Sequence, residues 1–496
     1  MDAIQLLTTE VAQAVSGNAI YDAYKSQWRY MLESYMGGME YQNAQHLVKY
    51  QLETESEYQN RLDTTPLQNH CSSVISVYNS FLFGQQPQRS FGSVKNMPEL
   101  EDFLNDADFD GRSLNSFMKD AATWASVFGH AWVVVAKPDI GATTRADELA
   151  QGVRPYLSLL TPLVVLDWRY ARAPSGRYHL EYIRYVEEVN GDVSVVKEWT
   201  METVRTMTIN TTDDVLIGDE QVPNQLGTVP VVCVYNKRST VRGIGISDIG
   251  DIADAQKFIY NATSEIDQSI RLDSHPSLVK TSETNAGIGA GSLIHMPENL
   301  DPGLKPYILE FSGASIDKIL ASIEHTIESI DKMANTGAIR AVESRTLSGV
   351  AMQTEFSLLN ARLSEKGGAL ELGEEQIWML WSRYMGKVWD GDIDYPDSFN
   401  IRDNHSDLDL YLKASTANIN SKTFAKGLQK EIAKLIVEDE GEMQAVVNEI
   451  ESQPNGVENM MIEIHDMMDP VTGDVRTVST MEQHELLVSQ GWVEAV

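Results

Sequence analysis

The spacing of apolar residues divides the chain into stretches that read as helix and stretches that read as strand. Leu67, Val74, Ile75, Tyr78, Phe81 and Leu82 fall three and four apart, which is one face of a helix. Gly84 and Pro87 then suit its C-terminal stop. An aromatic-rich opening (Tyr21, Tyr24, Trp28, Tyr30, Tyr35) precedes it, and residues 99–129 predict one or two more helices. Residues 1–130 therefore read as helical. From 131 to 236 the pattern shifts to short runs rich in Val, Ile, Tyr and Thr, such as HAWVVVAKP, VSVVKEW, TVRTMTI and VPVVCVYN. Turn signals separate them, among them Pro174-Ser175-Gly176 and Asn190-Gly191-Asp192. This predicts antiparallel strands, and helices followed by strands give an α+β fold class.

The helical period returns at 247. Ser247 is the expected N-cap, with Asp248 and Asp251 in the positive first turn. Ile249, Ile252, Phe258, Ile259, Ala262, Ile266 and Ile270 form one stripe to about 272, and His275-Pro276 ends it. An irregular stretch rich in glycine and proline, 284–314, follows. A second stripe, Ile316, Ile319, Leu320, Ile323, Ile327, Ile330 and Ala334, starts a new helix at about Ser315. Two antiparallel helices thus bracket a small excursion. Residues 335–347 have no helix of their own to join and bury little, so they are expected to be mobile. A long helix then runs from a cap at Ser348 to about Val388, with interruptions expected at Gly367-Gly368 and Gly373. A polar loop, a helix between about 420 and 452, and a Met- and acid-rich end complete the chain. No internal repeat is evident.

Charge changes the picture. Thirty-nine basic residues face 72 acidic ones across 496 residues, a net charge of −33. A free-standing sequence reader of DNA needs a basic surface to neutralise phosphate, so that class is disfavoured. A conduit along which DNA must slide is not, because acidic walls do not grip it; plain solubility accounts for the same number. No run of about twenty apolar residues predicts a membrane span, and the N-terminus does not read as a secretion signal. Cys71 and Cys233 sit in apolar runs and read as small buried hydrophobes in a reducing compartment.

The candidate chemistry is thin. Gly287, Gly289 and Gly291 lack the strand, helix and Lys-Ser/Thr of a phosphate loop and read as a flexible turn. Asp403, His405, Asp407 and Asp409 lack the glycine and distal glutamate of a calcium loop. His465-Asp466 and His484-Glu485 are isolated pairs. No nucleophile, zinc or triad pattern appears. The expectation is a protein with no cofactor and no metal, and not an enzyme.

Four phrases in order carry a resemblance. NHCSSVISVYNSFLFGQQPQ ends a helix in a Phe-Gly-x-x-Pro phrase, and LGTVPVVCVYN (226–236) is a glycine, proline, apolar run and asparagine. GIGISDIGDIADAQKFIYNATSEID (from Gly243) and TLSGVAMQTEFSLLNARLSEK (from Thr346) open the first and third long helices. In these the chain resembles the portal proteins of tailed double-stranded DNA bacteriophages, over about residues 65–370.

The resemblance implies a portal fold. Residues 1–246 would be the wing (helical 1–130, β-rich 131–236), 247–272 a stem helix, 273–314 the clip, 315–334 the second stem helix, and 335–347 the tunnel loop. Residues 348–409 would be a long wing helix and its return, and 410–496 the crown and C-terminal tail. It implies a closed dodecameric ring at one capsid vertex in the virion, made in the host cytoplasm, through which double-stranded DNA passes without sequence readout. The implied partners are the terminase large subunit, the head–tail adaptor and the major capsid protein, with a scaffold protein as a further candidate and no membrane. Asn335, Arg340, Glu343 and Arg345 would belong to the channel loop. Ile252, Ile259, Ile266, Ile319, Ile323 and Ile327 would form the stem seam, and Gly287, Gly289, Gly291 and His295 would meet clip partners. Two alternatives stay open: another head–tail connector or virion structural protein, and a soluble acidic enzyme with an unrecognised site.

Overall fold

The computed structural model describes residues 11–399, with breaks at 12–13, 139–140, 142–143, 214, 275–276, 281–300, 302, 304, 310–313 and 341–348, and pieces of 411–494. The chain forms two compact units, Met1–Phe399 and Asn400–Val496.

The first unit opens with helices α1 (Ala19–Met36), α2 (Gly38–Asn43), α3 (Glu55–Thr64) and α4 (His70–Leu82). Their starts follow from short polar side chains. Asn18 accepts the N–H of Tyr21, and Thr54 with Glu57 forms a reciprocal capping box. After strand β1 (Gln88–Ser90) come α5 (Pro98–Asn105) and α6 (Leu114–Phe128). Strand β2 (His130–Ala136), the short helix α7 (Arg145–Ala150) and strand β3 (Tyr156–Leu160) follow.

Next come β4 (Val165–Arg172), β5 (Tyr178–Asn190), β6 (Val193–Thr200), β7 (Thr203–Asn210), β8 (Val215–Pro223) and β9 (Val231–Tyr235). They do not make one sheet. Strands β4 to β8 form a five-stranded antiparallel meander, whereas β2 lies between β3 and β9 in a separate three-stranded sheet. The distinction tracks burial. The first six residues of β2 are buried, as expected of a strand covered on both faces, while β8 is exposed along most of its length at the meander edge.

Helix α8 (Gly250–Ser274), the hairpin of β10 (Ser277–Val279) and β11 (Tyr307–Leu309), and α9 (Ala314–Ala334) come next. A single turn, α10 (Gly337–Arg340), leads to α11 (Gly349–Tyr384), and β12 (Asp392–Asp394) pairs antiparallel with β1. One hydrophobic cluster links α1, α4, α6, the β2 sheet, α8, α9 and α11, with Trp28, Trp132, Trp378 and Trp381 almost wholly buried in it. Burying each large apolar side chain stabilises by roughly 1.5–3 kcal/mol.

Several expectations need correction. Helix α11 is not interrupted. Its glycines instead admit close neighbours: a Cβ on Gly373 would meet Val234 at 3.2 Å, and one on Gly367 would meet the Pro396 carbonyl at 3.4 Å. Phe258, Ile270 and Leu320 lie outside the buried seam, at 47%, 50% and 43% exposure. Residues 335–340 are not an unstructured tether, since Thr336 is fully buried and α10 follows it. Ser348 lies outside the described residues.

In the second unit, α12 (Lys422–Ile436) is followed by β13 (His465–Met468), β14 (Val475–Val478) and β15 (Val493–Glu494). These strands form a small antiparallel sheet with β13 central, over Met467, Leu487 and Trp492. Asp403, His405, Asp407, Asp409 and His484 lie outside the described residues.

Candidate functional site

The segment leading into α8 is placed by a backbone crossing. Gly129 ends α6 at φ +90°, a conformation that favours glycine. Gly245 passes directly over it, and a Cβ on Gly245 would lie 1.8 Å from the Gly129 carbonyl oxygen. Only two glycines permit this approach. His130 Nδ1 accepts the Gly245 N–H at 3.3 Å, and burial pushes its pKa down to about 3, so the ring is neutral and can accept. Ser247 does not cap α8 as expected. Its Oγ donates to the Val127 carbonyl (2.6 Å) and accepts the N–H of Ile249 (3.0 Å), which pins the loop to the end of α6.

Asp248 is thereby delivered into the protein, not onto the first helical turn. Its Oδ2 lies 2.5 Å from Lys366 Nζ, and its Oδ1 accepts from Arg362 Nη2 at 3.1 Å. Lys366 also donates to Ser126 Oγ (2.8 Å) and to Asn236 Oδ1 at the end of β9. Burial pushes the Lys366 ammonium below its ordinary value, although Asp248 opposes the shift. Burial also works against the Asp248 carboxylate, but Lys366 and Arg362 outweigh it and hold its pKa below the usual range. All three donor positions of the ammonium are occupied, as a buried charge requires.

The same cluster grips the end of α9. Arg362 Nη1 donates to the Met333 carbonyl (2.9 Å), and Tyr78 Oη donates to the Ala334 carbonyl (2.6 Å). The cations of Arg362 and Lys366 lie 5.1 and 5.4 Å from the Tyr78 ring centroid. The remaining ends of α9 are closed by a Schellman arrangement. The Thr336 N–H bonds the Asp331 carbonyl (3.0 Å), the Asn335 N–H bonds that of Lys332 (3.3 Å), and Asn335 sits at φ +55°. A cleft of about 530 Å³ opens beside this junction, lined by Lys237, Asp251, Asn335 and Glu365 among others. Asp248, Lys366, Arg362 and Tyr78 therefore bind the start of α8, the end of α9, the middle of α11, α6 and β9 at one point. What such a cluster does is fix geometry.

Of the channel-loop residues expected from the sequence, Asn335 is this helix terminus and Arg340 closes α10; Glu343 and Arg345 lie outside the described residues, as do Gly287, Gly289, Gly291 and His295. Ile252, Ile259 and Ile323 are buried, and Ile266, Ile319 and Ile327 are half-buried against the same core. The junction itself was not anticipated. Its traces in the sequence were Asn236 and Ser247-Asp248 inside the resemblance phrases, and Arg362 and Lys366 one turn apart on a helix face that is otherwise apolar. Among the described residues no group of acids, histidines and cysteines could hold a metal, and no helix is long and apolar enough to cross a membrane.

The family described as "Phage portal protein, SPP1 Gp6-like" matches residues 21–423, and the chain belongs to it. Similar solved structures are chains of gene transfer agent particles. One is from the "Neck of empty GTA particle computed with C6 symmetry", at 11% identity and TM-score 0.43, covering 74% of this chain and 91% of that one. Another is from the "Virion of native gene transfer agent (GTA) particle", at 12% identity and TM-score 0.42, covering 72% and 89%. A comparison with curated proteins finds no match. Family membership makes the chain a structural protein of the portal, or head–tail connector, class, associated with the virion.

Proposed function

We propose that the chain is one subunit of a closed ring that forms the DNA channel at one capsid vertex, through which the genome is packaged and later ejected. The observation that carries this reading is the junction at Asp248. Family membership gives the class, and the junction supplies what a channel subunit needs: a helix pair, α8 and α9, fixed rigidly at one end to a larger body and tipped at the other by a small hairpin. The pair would be the stem, the hairpin region the clip, and residues 335–347 the loop that narrows the channel. The clip would dock the terminase motor during filling and the adaptor afterwards. The net charge of −33 per subunit would keep DNA from adhering to the walls.

Three experiments test the reading. Light scattering on the purified protein should give a particle near twelve times 55.3 kDa, and negative-stain images should show rings with a central hole; a stable monomer under all conditions sinks the proposal. In phage, Arg340→Ala with Arg345→Ala should leave rings intact and shorten the DNA retained in filled heads, because phosphate contacts in the narrowing would resist slippage. Full-length DNA in that mutant would leave the loop a passive spacer.

A further inference from the structure

Helix α9 carries acid–base dipeptides at a seven-residue interval: Asp317-Lys318, Glu324-His325 and Asp331-Lys332. Consecutive residues on a helix point about 100° apart, and seven residues make nearly two full turns. The three acids therefore line one flank of α9, and Lys318, His325 and Lys332 line the next. Glu328, four residues after Glu324 and three before Asp331, lies on the same side. Both flanks lie away from the seam that Ile323, Ile330 and Ala334 bury against the rest of the chain. Asp317, Lys318, Glu324, His325 and Lys332 are exposed, and Asp331 is half-buried. Within one dipeptide the acid and the base cannot face each other.

We propose that these two flanks are the two halves of one interface between copies of this chain, with the acidic flank of α9 in one subunit facing the basic flank of α9 in the next. The inference rests on the ring reading above and specifies how its subunits match. A cyclic ring needs two different, mutually complementary patches on every subunit, and α9 presents such a pair at matched heights. A closed ring has no rise from one subunit to the next, so side chains at the same level meet. Asp331 would meet Lys332 of the neighbouring copy, Glu324 would meet His325, and Asp317 would meet Lys318. Such contacts select partner and register more than they add affinity, and they weaken as salt screens them.

The test is a pair of charge-swapped chains. Lys318→Glu with Lys332→Glu makes both flanks acidic, and Asp317→Lys with Glu324→Lys sets cations opposite Lys318 and His325 of the neighbouring copy. All four positions are exposed, so each variant should keep the circular dichroism spectrum and melting temperature of the parent. Alone, each should lose the ring peak in size exclusion at low salt. Mixed in equal amounts, they should recover it as alternating rings containing both chains. Variants that each form rings alone as well as the parent overturn the matched-flank interface while leaving the ring reading intact. Folded variants that fail to co-assemble overturn it too. A parent chain that forms no ring under the same conditions refutes the ring reading itself.

Discussion

The helix pair α8 and α9 is built differently at its two ends. At the end near Asp248 the side chains belong to the core: Ile249, Ile252, Ile330 and Ala334 are at most 2% exposed, and the polar groups are met by Lys366, Arg362 and Tyr78. At the far end Ile270 is 50% exposed, and the described pairing of β10 with β11 spans three residues a side, with Tyr307 at 55% exposure. A two-stranded hairpin of that size has little stability of its own in water. The near end is completed by this chain's own residues. At the far end the described residues leave apolar side chains such as Ile270 and Tyr307 half exposed.

The contrast can be broken most forcefully at Lys366. Lys366→Ala leaves Asp248 buried without its closest cation, and removing one partner of a buried pair costs about 3–5 kcal/mol. Chemical denaturation should show a loss of that order. The double change Asp248→Asn with Lys366→Met should recover part of it, since the buried pair is then gone and only the partly exposed Arg362 loses its carboxylate. A single mutant as stable as the parent means that the cluster is not what holds the near end.

Ile259→Asp tests the buried seam next. It should cost at least the roughly 2–5 kcal/mol of emptying a buried isoleucine site, with a carboxyl introduced besides, and should abolish soluble folded protein or ring assembly. Tyr78→Phe is a finer probe. It removes only the bond to the Ala334 carbonyl, and a net loss of about 1 kcal/mol is expected in urea melts. Ile270→Asp, at the far end of the same stripe, should change subunit stability by less than about 0.5 kcal/mol, as surface substitutions do. A large loss at Ile270 would erase the distinction between the two ends.

The amino-acid sequence alone determined the long helices, the β-rich region and their order. The period of three and four placed α4, α8 and α9, and the runs of β-branched residues placed β2 to β9, because side-chain periodicity is a local property. The four phrases that resemble portal proteins also pointed to the family that the comparison shows. Only the tertiary structure decided which apolar residues the seam uses. Phe258, Ile270 and Leu320 have the right spacing, yet the described chain leaves them about half exposed. It alone decided that the strands split into two sheets, and that the glycines of α11 admit Val234 and the Pro396 carbonyl without interrupting the helix. It alone assembled the junction, whose members Tyr78, Ser126, Asn236, Asp248, Arg362 and Lys366 span nearly three hundred positions. Each is unremarkable in its own segment. A buried charge acquires its meaning from the partner that neutralises it, and that partner is chosen by how the helices cross, which no local pattern encodes.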